Sequence, residues 1–271
     1  MANVVLALLT NTQTAPDILA AADRLAVLLG GARIEALVVR APPISTILVT
    51  EEILSRADEQ KIRFQEADRA GALRRIFNAR LAQSGRTPEP SWIDEEGITE
   101  ILVKNYGQRA DYIVTGRPDA PADHSEHEAL YAALFDTDRP VLMIPPGTKM
   151  DFGENVAIAW RDDKFTLNAL LAALRCLPPM ADLHVLMGRR PGHTMPKIPD
   201  IIAEHGFVAT GHELPVGKNV FGEQLLTTAH ALHADMLVMG AFVHSAWHNM
   251  LFGGVTKHIL LHSDIPVLMR H

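Results

Sequence analysis

Apolar residues come in two alternating textures along this chain. Short runs such as NVVLAL (Asn3–Leu8), YIVTG (Tyr112–Gly116), NVAIAW (Asn155–Trp160) and MLVMG (Met236–Gly240) are apolar almost without interruption. Between them lie longer stretches with apolar residues every three or four positions. Continuous apolar runs predict strands buried on both faces, and three-to-four spacing predicts helices laid over them. In the second half the pattern predicts strands over Val156–Trp160, Leu183–Met187, Val208–Leu214, Met236–Met239 and Val267–Met269. It predicts helices over Thr166–Leu177, Ile198–His205, Phe221–His233 and Val255–His262, with Gly206 as the residue that ends the second of them. Strands and helices in alternation indicate a parallel sheet covered on both faces.

The pattern also repeats. NVAIAW matches NVVLAL, ADMLVMG (Ala234–Gly240) matches ADYIVTG (Ala110–Gly116), and DIPVLM (Asp264–Met269) matches DRPVLM (Asp138–Met143). One duplicated unit explains all three matches. Pro and Gly punctuate the seam IPPGTKMDFGE, Ile144–Glu154, which places a boundary near Met150. The expected architecture is α/β: two tandem doubly wound, parallel-sheet, Rossmann-like domains, residues 1–150 and 151–271. The first domain carries an inserted long helix within Glu51–Gln83. Its apolar face runs through Ala57, Phe64, Ala67, Ala70, Leu73, Phe77 and Leu81, and its charged outer face includes Glu66 and Arg69. Each PVLM block is an apolar strand at a domain's end, and an exposed apolar edge must be covered. Pairing of the two copies would cover it, an intramolecular pairing of the two domains that makes one chain a pseudo-dimer.

Composition narrows the partners. The chain has 271 residues, 48% hydrophobic and 21% charged, with a net charge of −7. That balance is globular and argues against nucleic acid, which needs a basic face. No apolar run reaches the length of a membrane span, so no membrane partner is expected. Cys176 is the single cysteine. It permits no intrachain disulfide, and it lies in a Leu-rich run that predicts a buried thiol. Because NVVLAL has an internal copy, it reads as a strand and not as a signal peptide, and the expected location is cytoplasmic. Thirteen histidines invite a metal reading. The pairs His244/His248, His258/His262 and His124/His127 lack a third ligand at a recognised spacing, so structural or surface roles are expected. Glu223 and Asp235 read as cap or turn residues. There is no GxSxG, HExxH or Walker lysine motif, and nothing indicates covalent catalysis.

One loop carries candidate chemistry: MGAFVHSAWHNMLFGGVTKHIL, Met239–Leu260. It leaves a strand at Gly240 and opens a helix near Gly253–Gly254–Val255–Thr256. Free N–H groups and the dipole at a helix start suit a phosphate. Here the chain resembles the universal stress proteins, in their tandem two-domain form with an adenine-nucleotide α-hydrolase-like fold. Nucleotide-binding members carry a glycine, two residues, a glycine, nine residues, then a glycine with Ser or Thr close behind. Gly240, Gly253 and Thr256 match that pattern, while Val243 stands at the second glycine. The resemblance implies an adenine nucleotide, ATP with Mg2+, held by Gly240, Ala241, Val243, His244, Gly253, Gly254, Val255 and Thr256. It implies further contacts from Trp160, Arg161 and Asp162 at the first strand's end and Met187 on the next strand. Arg161 departs from the Asp or Asn usual there. In the first half, GRPDAPADHSEHEALYAALF (Gly116–Phe135) has no later glycine and puts Asp119, Asp123 and Glu126 where phosphates would lie. That copy reads as degenerate. The implied role is stress response by binding and signalling. Two other readings stand beside it: a nucleotide-independent scaffold with a relic site, and a slow ATP hydrolase using Asp162 or Asp163. A homodimer is a further open partner.

Overall fold

The computed structural model describes residues 3–46, 55–82, 88–118, 124–148, 150–190, 192, 194, 197–216, 221–241, 243–244, 251–252 and 254–271. Two compact units divide it, Met1–Arg139 and Pro140–His271. In the first, the elements are β1 (Val4–Leu8), α1 (Ala15–Leu28), β2 (Arg33–Arg40), a 3-10 turn (Pro43–Thr46), α2 (Arg56–Phe77) running into a π turn (Asn78–Ala82), β3 (Ser91–Glu96), α3 (Thr99–Gly107), β4 (Tyr112–Gly116) and α4 (His124–Asp136). In the second they are β5 (Val141–Ile144), β6 (Asn155–Trp160), α5 (Lys164–Leu174), β7 (Asp182–Arg189), α6 (Ile201–Glu204), β8 (Ala209–Pro215), α7 (Phe221–Ala231), β9 (Met236–Gly240), β10 (Val243–His244), β11 (Leu251–Phe252), α8 (Gly254–His262) and β12 (Val267–Arg270).

Ten strands form one mixed sheet in the order β3-β2-β1-β4-β5-β12-β9-β6-β7-β8, and β10 and β11 form a separate ribbon. This overturns the expectation of two tandem doubly wound domains. The tandem form of the resemblance, the pseudo-dimer and the pairing of two separate domains fall with it, although the two PVLM copies do pair with each other as expected. The reason lies in the PVLM blocks. β5 is wholly buried and pairs antiparallel with β12 in the register Val141↔Met269, Leu142↔Leu268 and Met143↔Val267. Within its unit β12 is flanked by β5 on one side and β9 on the other, so the apolar PVLM strand needs no separate domain to cover it. By packing, β5 belongs to the unit that begins at Pro140, so the polar seam near Met150 is a turn inside that unit.

Local chemistry explains the elements. β1, β4, β5 and β9 are apolar on both faces because helices cover the sheet. At the end of α1, Gly30 (φ 75°) and Gly31 (φ 105°) adopt left-handed backbone and return N–H groups to the carbonyls of Val27 and Ala26 at 2.9 Å each. Ser55 starts α2, its hydroxyl accepting from the Asp58 N–H at 3.2 Å. The apolar face expected on that helix is only half used. Ala70, Leu73, Phe77 and Leu81 are buried, but Phe64 is 74% exposed. Arg69, expected on the solvated face, turns inward.

Candidate functional site

β6 and β9 run parallel as neighbours, so their carboxyl ends open side by side. Ligands of parallel sheets gather at carboxyl ends. A cavity of about 140 Å³ lies there, lined by Ala159, Trp160 and Arg161 at the end of β6, Thr166 of α5, Leu186 of β7, Met239 and Gly240 of β9, Phe221 and Leu225 of α7, and Val255 of α8. Its wall is mostly apolar, with the Arg161 guanidinium largely exposed at the rim. Of the residues expected from the sequence, the cavity gathers Trp160, Arg161, Gly240 and Val255. Met187 is not among its lining residues. It is buried, with its methyl 2.9 Å from where a Cβ on Gly211 would lie, while Leu186 reaches the cavity. Successive strand residues face opposite ways, so a one-residue misreading of the pleat changes the residue.

Asp162 is exposed and outside the cavity wall. Asp163 is the N-cap of α5, with extended backbone (φ −151°, ψ 166°). Its Oδ1 accepts from the N–H groups of Phe165 and Thr166 at 3.0 Å each, and its Oδ2 accepts from Nε of Arg161. The chain's own carboxylate therefore satisfies the start of α5 and occupies N–H groups that a phosphate would need.

The loop beyond β9 is also committed to backbone pairing. Gly240 pairs with Arg270 in the β9–β12 ladder. The Ala241 N–H donates to the Arg270 carbonyl at 2.9 Å, and the Ala241 carbonyl lies 3.0 Å from Nδ1 of His271. Val243 and His244 form β10, paired antiparallel with Phe252 and Leu251 of β11. A β-branched residue suits that extended strand, whereas a glycine nest would need left-handed backbone. Gly253 lies outside the described residues, as do 245–250. Gly254 opens α8, and a Cβ there would meet nothing within 4 Å. Thr256 is buried. The ATP-binding signature expected from the loop is thus corrected: among the described residues a ribbon stands where a glycine cradle was expected. The cavity also falls below the roughly 300 Å³ that encloses a drug-sized ligand, and matches the roughly 150 Å³ that holds one benzene ring.

The corresponding crevice in the first unit is filled by its own side chains. Arg69 of α2 donates to the carbonyls of Thr10 and Val39 at 2.7 Å each and is braced by Glu66 at 2.6 Å. Glu126 of α4, only 2% exposed, accepts from the hydroxyls of Thr10 (3.2 Å) and Thr14 (3.0 Å) and from the Asn11 amide. About 20 Å³ remains, room for one water. Arg69, Glu126's hydroxyl partners and Thr166 escaped the sequence reading. One signal was legible: Glu66, Arg69 and Leu73 sit three and four apart, which puts an ion pair on the buried stripe. Asp119 and Asp123 lie outside the described residues.

The other candidates have structural roles. The Asp235 carboxylate accepts from the N–H groups of Gly153 (2.7 Å), Glu154 (3.0 Å) and Asn155 (2.8 Å), tying β9 to the entry of β6. Burial pushes its pKa up in spite of those bonds. Asp111 does the same in the first unit, accepting from the Val4 N–H at 2.8 Å. Nδ1 of His184 and Nε2 of His212 are 3.0 Å apart, and burial and then His184 hold His212 below the ordinary range. The rings of His258 and His262 are 4.5 Å apart, and burial lowers His258. His127 stacks on Tyr131, and His248 lies outside the described residues. Among the described residues no three His, Cys, Asp or Glu side chains cluster as metal ligands. Cys176 is buried, its thiol donating to the Ala173 carbonyl at 3.3 Å. Among the described residues no helix is long and apolar enough to cross a membrane.

Comparison with known proteins agrees with this geometry at the level of the fold. Residues 216–271 match the universal stress protein family. No curated protein matches the chain. A universal stress protein from Archaeoglobus fulgidus DSM 4304 superposes with a TM-score of 0.70 at 14% identity, covering 100% of this chain and 98% of that one. A protein of unknown function from Pseudomonas aeruginosa PAO1 superposes with a TM-score of 0.59 at 15% identity, covering 99% of this chain and 92% of that one. The chain has a universal-stress-like α/β fold.

Proposed function

We propose that this chain is a regulatory binding protein of the universal stress type, and that the β6–β9 cavity receives the base of an adenine nucleotide. One observation carries the reading: a ring-sized apolar cavity lies at the carboxyl ends of two parallel strands, between Trp160, Leu186 and Met239. The sugar and phosphates would lie outside it, toward Arg161 and the start of α8. Any Mg2+ would arrive with the nucleotide. Binding without rapid turnover fits the site, because Asp163, the better-placed candidate base, is engaged as an N-cap and by Arg161. The test is a calorimetric titration of nucleotide-free protein with adenosine, AMP and Mg·ATP. Saturable binding of adenosine or AMP near one per chain supports the proposal. No competition by any of the three at millimolar concentration overturns it. That outcome favours the second reading, a nucleotide-independent interaction protein, for which the β10–β11 ribbon in place of a cradle is the specific observation.

A further inference from the structure

α2 has two unlike faces. Ala70, Leu73 and Phe77 are buried, and Glu66 and Arg69 turn inward beside them. On the opposite face Ala57, Gln60, Lys61, Phe64, Ala67, Asp68 and Gly71 are all exposed. At about 100° per residue, Ala57, Phe64 and Gly71 fall nearly on one line along that face. Gln60 and Ala67 flank the line on one side, and Lys61 and Asp68 flank it on the other. Phe64, at the centre, is 74% exposed, and a Cβ on Gly71 would meet nothing within 4 Å. A phenylalanine ring left in water gains by any partner that covers it.

The face is complementary to itself. Consider an antiparallel pair of α2 helices centred between Gln65 and Glu66. Phe64 of each copy then lies over Ala67 of the other, and Gln60 lies over Gly71. Small residues opposite the ring let the two helix axes come close. The same register sets Lys61 beside Asp68 of the other copy, once on each side of the twofold axis. Among the described residues neither Lys61 nor Asp68 has an ion pair within its own chain, whereas Arg63 is held by Glu96 and Glu66 by Arg69. A parallel pair would set Lys61 against Lys61 and Asp68 against Asp68, so the charges select the antiparallel one. Ala57 to Gly71 spans about 21 Å, or about four turns, which is a small interface and implies a reversible dimer.

We propose that the outer face of α2 is a docking surface for a second copy of this chain, the two helices pairing antiparallel around Phe64. The test is sedimentation equilibrium of the full chain from micromolar to millimolar concentration. Wild type is expected to pass from monomer to dimer across that range. Phe64→Asp should weaken the dimer at least about a hundredfold. Lys61→Asp and Asp68→Lys each bring like charges together at both ends of the pair, and each should weaken it roughly tenfold. Mixed in equal amounts, those two variants should associate nearly as well as wild type, because the register again sets opposite charges together. The exposed positions predict melting temperatures near that of wild type for all three variants. A wild type that stays monomeric at millimolar concentration overturns the proposal and leaves this face to a partner of different sequence. A dimer that Phe64→Asp leaves intact overturns it. So does a mixture of the two charge variants that associates no better than either alone.

Discussion

Asp163 shows how one side chain decides what a helix start is for. Its carboxylate bonds to the first free N–H groups of α5 and to Arg161 beside them. A sequence reader sees two aspartates next to a strand end and weighs catalysis. The structure separates them, one capping and one exposed. Replacing a carboxylate cap by alanine costs about 0.5–2 kcal/mol. Asp163→Ala should therefore lower the stability measured by urea denaturation by that amount, and Asp162→Ala should change it by less than about 0.5 kcal/mol. Equal losses in the two variants would remove the cap assignment.

At the scale of elements, α2 and β7–β8 each carry a device that the pattern alone did not show. α2 places Arg69 over the carboxyl ends of β1 and β2, where it satisfies two carbonyls and pairs with Glu66. Arg69→Met keeps the length of the stem but strands these acceptors and a carboxylate. The expected loss is about 1–3 kcal/mol, read from urea denaturation. On β8, the part-buried His212, 3.0 Å from His184 of β7, sets a pH dependence. His212 is held below its unfolded value, chiefly by burial. The folded state therefore prefers the neutral ring. The stability this contributes is full above about pH 6.5 and is lost as the pH falls through the lower folded value. His212→Gln removes the buried ring that must charge. Its melting temperature should fall less between pH 7.5 and pH 5 than that of wild type, and an identical fall would reject His212 as the cause.

For the molecule as a whole, the central feature is that the two PVLM strands pair with each other. Leu142 and Leu268 face each other in the β5–β12 ladder and are each 1% exposed. A charge placed there has no partner and no water. Leu142→Asp should cost several kcal/mol and abolish the cooperative thermal transition. Met180→Asp, at a site 90% exposed, should melt within a few degrees of wild type. If Leu142→Asp melts like Met180→Asp, the sheet order is wrong at its middle. Amides of β5 and β12 should also be among the slowest to exchange with deuterium.

The sequence by itself determined the elements. Apolar runs bounded by turn residues marked β6, β7, β8, β9 and β12 to within two residues, and Gly206 was legible as the turn residue just past the C-cap of α6, where it takes φ 83°. Local backbone preference and helical or strand periodicity suffice for that, because both are written in neighbouring residues. What the strands pair with is not local. An apolar block reads the same at the edge of a domain and in the middle of a larger sheet, so the union of ten strands was decided only in three dimensions. The site divides in the same way. Trp160, Arg161, Gly240 and Val255 reached the cavity because a strand end and a helix start are recognisable in sequence. Leu186 in place of Met187, Val243 in a ribbon in place of a cradle and Arg69 turned inward were decided by pleat, pairing and packing. Those depend on residues far away in the chain, and no spacing of neighbours records them.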